Sequence, residues 1–208
     1  MYRLYGIPTQ NTLKAAYVLD AVGADYEFQK VDLSKGEQKT EAFLKVNPIG
    51  KVPALKHNDF TLFESGALCR YIANVENSPL YPTDKQKRAQ VDQWLDFFTC
   101  HLGRWLSALF YEQVIKKASG RGEPDKARCE EALGFVNQQI LPVEKHLSQS
   151  PYFVGDQLTI ADLVAFAYIE QSAALNYDLS PYPHTKKWLE KVGSLDSVKK
   201  TKTKVQWG

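Results

Sequence analysis

The chain has 208 residues and a formal net charge of +2, a balance that excludes broad electrostatic attraction to nucleic acid or to a membrane surface. That length allows one large domain or two small ones with a real core, and no apolar run is long enough to span a bilayer. Three cysteines, Cys69, Cys100 and Cys129, show no CxxC spacing, and the N-terminus MYRLYGIPT lacks an extended apolar core. Both features point to reduced thiols in a cytoplasmic protein. No His/Cys cluster has metal spacing, so no metal is expected.

In chain order, Tyr2–Gly6 predicts a short strand. Residues 12–22 predict a helix with Leu13, Ala16, Tyr17 and Leu19 on its apolar side. Residues 26–31 predict a second strand, and 38–46 a helical stretch carrying Phe43 and Leu44. Val52-Pro53-Ala54-Leu55 is a short apolar run containing a proline. Proline lacks an N–H and cannot sit mid-ladder, so it marks a strand start or a bend. The X-Pro bond is also where a cis peptide is accessible. A cis Pro53 turns the Val52 N–H and C=O outward, where a ligand's amide can pair with both. Asn58-Asp59 supplies a turn, and Phe60–Phe63 reads as the next strand. Glu64-Ser65 then opens GALCRYIANV, whose Leu68, Tyr71, Ile72 and Val75 fit helical spacing. A helix N-terminus there favours a carboxylate.

Ser78-Pro79-Leu80-Tyr81-Pro82-Thr83 breaks the pattern with two prolines. It divides an α/β domain, 1–77, from an all-helical domain, 85–208, through a linker at 78–84. Residues 90–115 predict one long helix rich in aromatics, and 126–147 a second that Pro142 should kink or end. A third opens at Thr159-Ile160-Ala161-Asp162, a capping box in which Asp162 reaches back to the Thr159 N–H. Lys199, Lys200, Lys202 and Lys204 read as a short solvated tail.

Residues 47–73, NPIGKVPALKHNDFTLFESGALCRYIA, resemble the glutathione site of cytosolic glutathione S-transferases. The likeness covers nearly the whole chain. The order βαβαββα resembles the thioredoxin-like fold, and YFVGDQLTIADL resembles the folding motif of the family's helical domain. The implied architecture is a thioredoxin-like N-terminal domain followed by an all-α C-terminal domain, with Thr159 and Asp162 structural. The implied activity is binding of glutathione as co-substrate, stabilisation of its thiolate and conjugation to a small electrophile, in a homodimer. A free thiol has a pKa of about 8.5, so such a site must favour the anion. One donor aimed at the sulfur beside a helix N-terminus suffices.

That donor belongs between the first strand and the first helix. Residues 6–14 contain no cysteine, which counts against a glutaredoxin-type or omega-type nucleophile. Tyr5 matches classes that use tyrosine, but those sequences differ downstream. Pairing DYEFQKVDLSKGEQKTEAFLKVNPIGKVPAL with phi-class sequences carries their catalytic serine onto Thr9. Bacterial nu-class enzymes show a P-T-x-N pattern, matched by Pro8-Thr9-Gln10-Asn11, with Lys14 also matching; the likeness departs at Thr12, where glycine is usual. In that class the Thr and Asn both attend the sulfur, and some members reduce disulfides with two glutathiones. Thr9, Asn11 and Thr12 each also fit a plain helix cap.

By the same comparison, Gln38, Lys39 and Lys51 meet the glycine carboxylate of glutathione, and Val52, before Pro53, pairs with the cysteinyl backbone. Glu64 takes the γ-glutamyl ammonium and Ser65 the carboxylate. The second substrate is expected near Phe97, His101, Arg104 and Trp105, although at helical spacing several of these must be core. A non-catalytic interaction domain remains the alternative outside enzymology. A maleylacetoacetate-isomerase role is disfavoured because the SSxS-type signature is absent.

Overall fold

A computed structural model describes residues 1–206, so the last two residues of the expected 85–208 domain lie outside the described residues. The chain divides into two compact units, Met1–Tyr81 together with the segment from Ser194, and Pro82–Gly193. The C-terminal segment therefore groups with the α/β unit, whereas the sequence reading assigned everything beyond residue 84 to the helical one.

The α/β unit is built on four strands: β1 (Tyr2–Gly6), β2 (Tyr26–Lys30), β3 (Ala54–His57) and β4 (Phe60–Phe63). Their order is β2-β1-β3-β4, with β1 and β2 parallel and the other pairs antiparallel. Strand β1 is interior, and its alternation follows: Tyr2, Leu4 and Gly6 are buried while Arg3 faces solvent. Three helices pack with this sheet: α1 (Gln10–Ala21), the single turn α2 (Glu41–Leu44), and α3 (Ser65–Val75). A 3-10 turn at Glu37–Lys39 precedes α2, so the helical stretch expected over 38–46 is two short pieces.

Helix α1 is buried on nearly every side. Its run Ala15 to Leu19 is fully covered, and so is Thr12. Thr12 fills the space beside Gly6: a Cβ on Gly6 would clash with the Thr12 Oγ1 and Cγ2 atoms and lie 3.0 Å from its Cβ. Glycine at position 6 is what lets β1 pass so close to the first turn of α1.

Counting helices onward through the chain, the last, α10 (Asp196–Lys204), returns to α1. The buried Asp20 carboxylate accepts from the Tyr26 hydroxyl at 2.9 Å and the Thr201 hydroxyl at 2.6 Å, and pairs with Lys200 at 3.0 Å. Lys204 donates to the Tyr26 carbonyl at 2.6 Å. The expected solvated lysine tail is thus a docked helix, because Thr201 and Val198 are buried between the lysines.

The second unit contains α4 (Lys85–Cys100), α5 (Leu102–Phe110), the short α6 (Lys116–Ala118), α7 (Lys126–Leu147), α8 (Ile160–Ile169) and α9 (Pro183–Gly193). The single long helix expected over 90–115 is interrupted at His101, with φ −118° and ψ −102°. Two residues on, a Cβ on Gly103 would meet the Phe98 carbonyl and lie 2.6 Å from the Tyr168 ring of α8, so the chain passes both at a glycine. Beyond α5 a π-helical turn, Tyr111–Ile115, buries Glu112. Its carboxylate accepts from Lys116 at 2.9 Å and from the Asp125 N–H at 2.9 Å, which anchors the start of α7. Pro142 does not end α7; the helix runs through it to Leu147, with Ile140, Val143 and Leu147 buried on either side. Packing of that face offsets the lost backbone bond.

Helix α8 is buried along its whole length. Asp162 accepts from the Thr159 N–H at 2.9 Å, as the capping box predicts, and from the Phe153 N–H at 3.0 Å and the Trp188 indole at 3.1 Å. The Thr159 hydroxyl donates to the same carboxylate at 3.1 Å. Asp162 is a buried structural hub.

Replacing Gly6 by alanine should destabilise the protein by about 1–3 kcal/mol, since the added methyl meets Thr12 in a packed interior. The double variant Gly6→Ala/Thr12→Ala should recover part of that loss, as coupled neighbours do. Urea-unfolding midpoints of the single and double variants check both statements.

Candidate functional site

Register alone gathers the candidate residues. Ala54 pairs with Tyr5 on one side and with Phe63 on the other. The next residues along each strand, Gly6, Pro53 and Glu64, therefore emerge at the same edge of the sheet. Helix α1 begins at Gln10 after β1, and α3 begins at Ser65 after β4. Two helix N-termini thus open at one sheet edge, where unpaired N–H groups and the positive dipole ends favour anions.

The first of these openings carries Thr9. Its backbone caps α1: the Thr9 carbonyl accepts from the Thr12 N–H at 3.0 Å and the Leu13 N–H at 2.9 Å. Its hydroxyl makes no capping bond, and the residue is half-buried. The helix-cap reading of Thr9 therefore holds for its backbone only, which leaves the hydroxyl to other work. Asn11 does not cap either; its Oδ1 accepts from the Lys14 ammonium at 2.8 Å. Thr12 is a first-turn residue packed on Gly6.

The second opening is Glu64-Ser65. Glu64 has φ 71° and ψ 109°, a left-handed backbone that costs a non-glycine residue about 1–3 kcal/mol. Such strain concentrates where a side chain must be presented to a ligand. The Glu64 side chain is exposed and caps nothing, while the Ser65 hydroxyl accepts from the Lys14 ammonium at 3.3 Å.

Between the two lies the Asn47–Pro53 loop, closed by the buried Asn47. Its Nδ2 donates to the Lys51 carbonyl at 2.6 Å, and its Oδ1 accepts from the Ile49 N–H at 3.1 Å. The Val52–Pro53 bond is cis, as the sequence allowed. Val52 is half-buried and precedes the ladder, which begins at Ala54. Lys51 is exposed. Gln38 and Lys39 sit in the 3-10 turn, and the Lys39 Nζ lies 2.8 Å from the point where a side chain on Gly50 would begin. The structure thus brings Gln38, Lys39, Lys51, Val52 and Pro53 to one loop cluster.

One residue enters the sequence reading only as a match to the nu-class pattern, with no role. Lys14 is fully buried, and it ties Asn11 of α1 to Ser65 of α3. Burial pushes its amine down to about 7, against the opposing pull of Cys69 and Glu64. A lysine reads from sequence as surface; the signal that marks this one is its place directly before Ala15-Ala16-Tyr17-Val18-Leu19, a run too apolar to leave solvent nearby.

The residues expected at a second substrate lie in the helical unit and divide into two groups. Phe97 and His101, with ring centroids 5.7 Å apart, line a cavity of about 550 Å³ with Trp94, Cys100 and Pro142. Arg104 lies 4.9 Å over the Trp105 ring, which stacks on Phe135 at 4.3 Å. Among the described residues, no group of three His, Cys, Asp or Glu side chains is placed to hold a metal ion, and no helix is long and apolar enough to cross a membrane.

Cys69 lies near Lys14 but is fully buried, and burial pushes its thiol up to about 12. It is inert as a nucleophile. Cys100 is exposed.

Comparison with known proteins places the chain among relatives that match it along nearly its whole length. Residues 1–74 match the family model for the glutathione S-transferase N-terminal domain, and residues 98–196 that for the C-terminal domain. The chain is 33% identical over 191 residues to a probable glutathione S-transferase GSTF2 of Oryza sativa subsp. japonica, covering 89% of this chain and 88% of the relative. It is 32% identical to glutathione S-transferase 3 of Zea mays, over 96% of this chain and 92% of the relative. Glutathione transferase F7 from Populus trichocarpa superposes with a TM-score of 0.91 at 27% identity, over 100% of both chains. A glutathione S-transferase-I bound with lactoylglutathione superposes at 0.90 with 30% identity, over 97% of this chain and 98% of that one.

Treatment of the native protein with iodoacetamide at pH 8 should modify Cys100 first and leave Cys69 untouched until denaturant is added. Peptide masses read the order. Labelling of native Cys69 at the rate of Cys100 would overturn its assignment as a buried, protonated thiol.

Proposed function

The chain belongs to the glutathione S-transferase family, and from that premise we propose that it binds glutathione at the α/β sheet edge, stabilises its thiolate and conjugates it to a small electrophile. The observation that carries the reading is the convergence of three features at that edge. They are the uncapped Thr9 hydroxyl, the cis Val52–Pro53 loop and the strained Glu64-Ser65 turn.

Glutathione is a tripeptide with two carboxylates, one ammonium and one thiol, and each finds a counterpart. The γ-glutamyl carboxylate docks on the Ser65 hydroxyl and the α3 N-terminus, and its ammonium meets Glu64. The cysteinyl amide pairs with Val52 beyond the end of β3. The glycine carboxylate meets Lys39 and Lys51, with Gln38 beside them. The thiol then lies at the start of α1. It loses its proton to solvent, and the Thr9 hydroxyl donates to the sulfur anion, with the helix dipole adding to the effect. The sulfur's electron pair forms a C–S bond with the electrophilic carbon, whose leaving group departs with the bonding pair. Phe97, His101, Arg104 and Trp105 are proposed contacts for the second substrate, and the homodimeric state and cytoplasmic location implied by the family resemblance belong to this proposal too.

A second reading rests on Asn11. Its side chain is held at 2.8 Å by Lys14, and it lies two residues from Thr9 at the same helix opening, which suits the nu-like arrangement in which both residues attend the sulfur. There the thiolate attacks a disulfide, releases one thiolate, and leaves a mixed disulfide. A second glutathione resolves it, yielding glutathione disulfide and the second thiol.

Glutathione binding should be measured first, then turnover of an aryl halide against glutathione-dependent reduction of a small disulfide. Conjugation is expected to dominate; disulfide turnover well above it transfers the assignment to the second reading, and no binding at millimolar glutathione leaves the non-catalytic interaction domain. Thr9→Ala should lower kcat about 10- to 100-fold, the scale of a lost hydrogen bond to a charged group. Full activity in that variant removes Thr9 from the mechanism. Glu64→Ala should raise the KM for glutathione by a similar factor with kcat nearly kept.

A further inference from the structure

Lys14 is a buried amine that the conjugation chemistry does not use, and it stands between the two helix openings. Its Nζ donates to the Asn11 Oδ1 at 2.8 Å and to the Ser65 Oγ at 3.3 Å. Asn11 lies two residues beyond Thr9, and Ser65 is the first residue of α3. We infer that Lys14 is a positioning residue that couples the sulfur end of the site to the γ-glutamyl end, and that it takes up a proton when the γ-glutamyl carboxylate arrives at Ser65. This inference rests on the glutathione-site reading above.

The surroundings of the amine supply the physics. It has no exposed surface, and burial holds its proton loosely, near pH 7. Helix α3 presents Glu64 and Cys69 toward it; Cys69 stays protonated, and Arg70 lies near Cys69. On α10, Lys200 engages Asp20 and Lys204 engages Tyr26, at the far end of α1. On β1, Tyr2 bonds Glu76 and Arg3 bonds Glu27. Glu64 is a carboxylate near the amine, and it is exposed. A ligand carboxylate bonded to Ser65 adds a negative charge within about one residue's length of Nζ, shielded from water by the ligand itself. That charge favours the ammonium over the amine.

The sign of the linkage follows. Below pH 7 Lys14 is protonated with or without ligand, so affinity does not depend on its titration. Above pH 7 the free protein has lost the proton and the complex has regained it, so binding consumes a proton and weakens as pH rises, at most tenfold per pH unit. A charged Lys14 also holds Asn11 and Ser65 together more firmly, because the positive charge strengthens the hydrogen bonds donated to both. Loading the γ-glutamyl end therefore steadies the asparagine beside the sulfur.

S-methylglutathione isolates this effect, because its blocked sulfur cannot ionise. Its Kd should be measured from pH 6 to 9 for the wild type and for Lys14→Met. The ligand's own amine titrates identically against both proteins, so the ratio of the two constants reports Lys14. The wild-type advantage should be pH-independent below 7 and shrink several-fold between pH 7 and 9. In wild-type protein labelled at the lysine ε-carbons, one resonance should titrate near pH 7 when free and shift upward by a pH unit or more with S-methylglutathione bound; this readout stands if Lys14→Met fails to fold. Binding with a flat ratio and no shifted lysine resonance overturns the role of Lys14 and leaves the glutathione site intact. Absence of S-methylglutathione binding at every pH overturns the site reading, and this inference with it.

Discussion

Ala54 is held between Tyr5 and Phe63, and that pair of strand contacts sets everything that follows at the site. Ala54 and Leu55 face opposite sides of the sheet, so a slip of one residue in either pairing would exchange a small and a large side chain between two packed faces. Both are buried completely or nearly so. The apolar core thereby fixes the register, and the register brings Gly6, Pro53 and Glu64 to one edge. The polar residues of the candidate site are thus positioned by the apolar core.

Helix α1 is the second determinant, and its burial has two opposite effects. It gives the unit a rigid centre through Ala15 to Leu19. It also removes water from Lys14 and Asp20, which must then find partners inside the protein. Asp20 finds them on β2 and α10, through Tyr26, Thr201 and Lys200. Lys14 finds them at the site, through Asn11 and Ser65. A helix that reads as an ordinary amphipathic element thus has one polar anchor at each end, one structural and one facing the chemistry.

Much of this was legible in the sequence where a residue type has few alternatives. Proline at 53 leaves only a strand start or bend, and the cis bond and the strand beginning at Ala54 follow. The Thr159-to-Asp162 spacing is a local signal, and the reach of Asp162 back to the Thr159 N–H is present. Long-range packing was not legible. The break at His101 lies two residues before Gly103, which packs against the Tyr168 ring of α8, and no window around residue 101 contains that ring. The same holds for α10: its lysines look like a solvated tail until Val198 and Thr201 find α1 across the length of the chain. Lys14 was legible as a match to the nu-class pattern, but its burial was not, because exposure is the default for lysine and only tertiary packing reverses it.

The return of α10 to α1 makes the α/β unit discontinuous in sequence, with the whole of Pro82–Gly193 inserted between its two parts. During synthesis the chain emerges from its N-terminus, and domains tend to fold as they appear. Here the sheet and its first helix leave the ribosome long before the segment that supplies Thr201 and Lys200. Asp20 waits without those partners while the helical unit is made. The N-terminal unit, with the candidate glutathione-binding residues on it, is therefore completed last, and a chain truncated before residue 196 would carry every one of those residues on an unfinished scaffold.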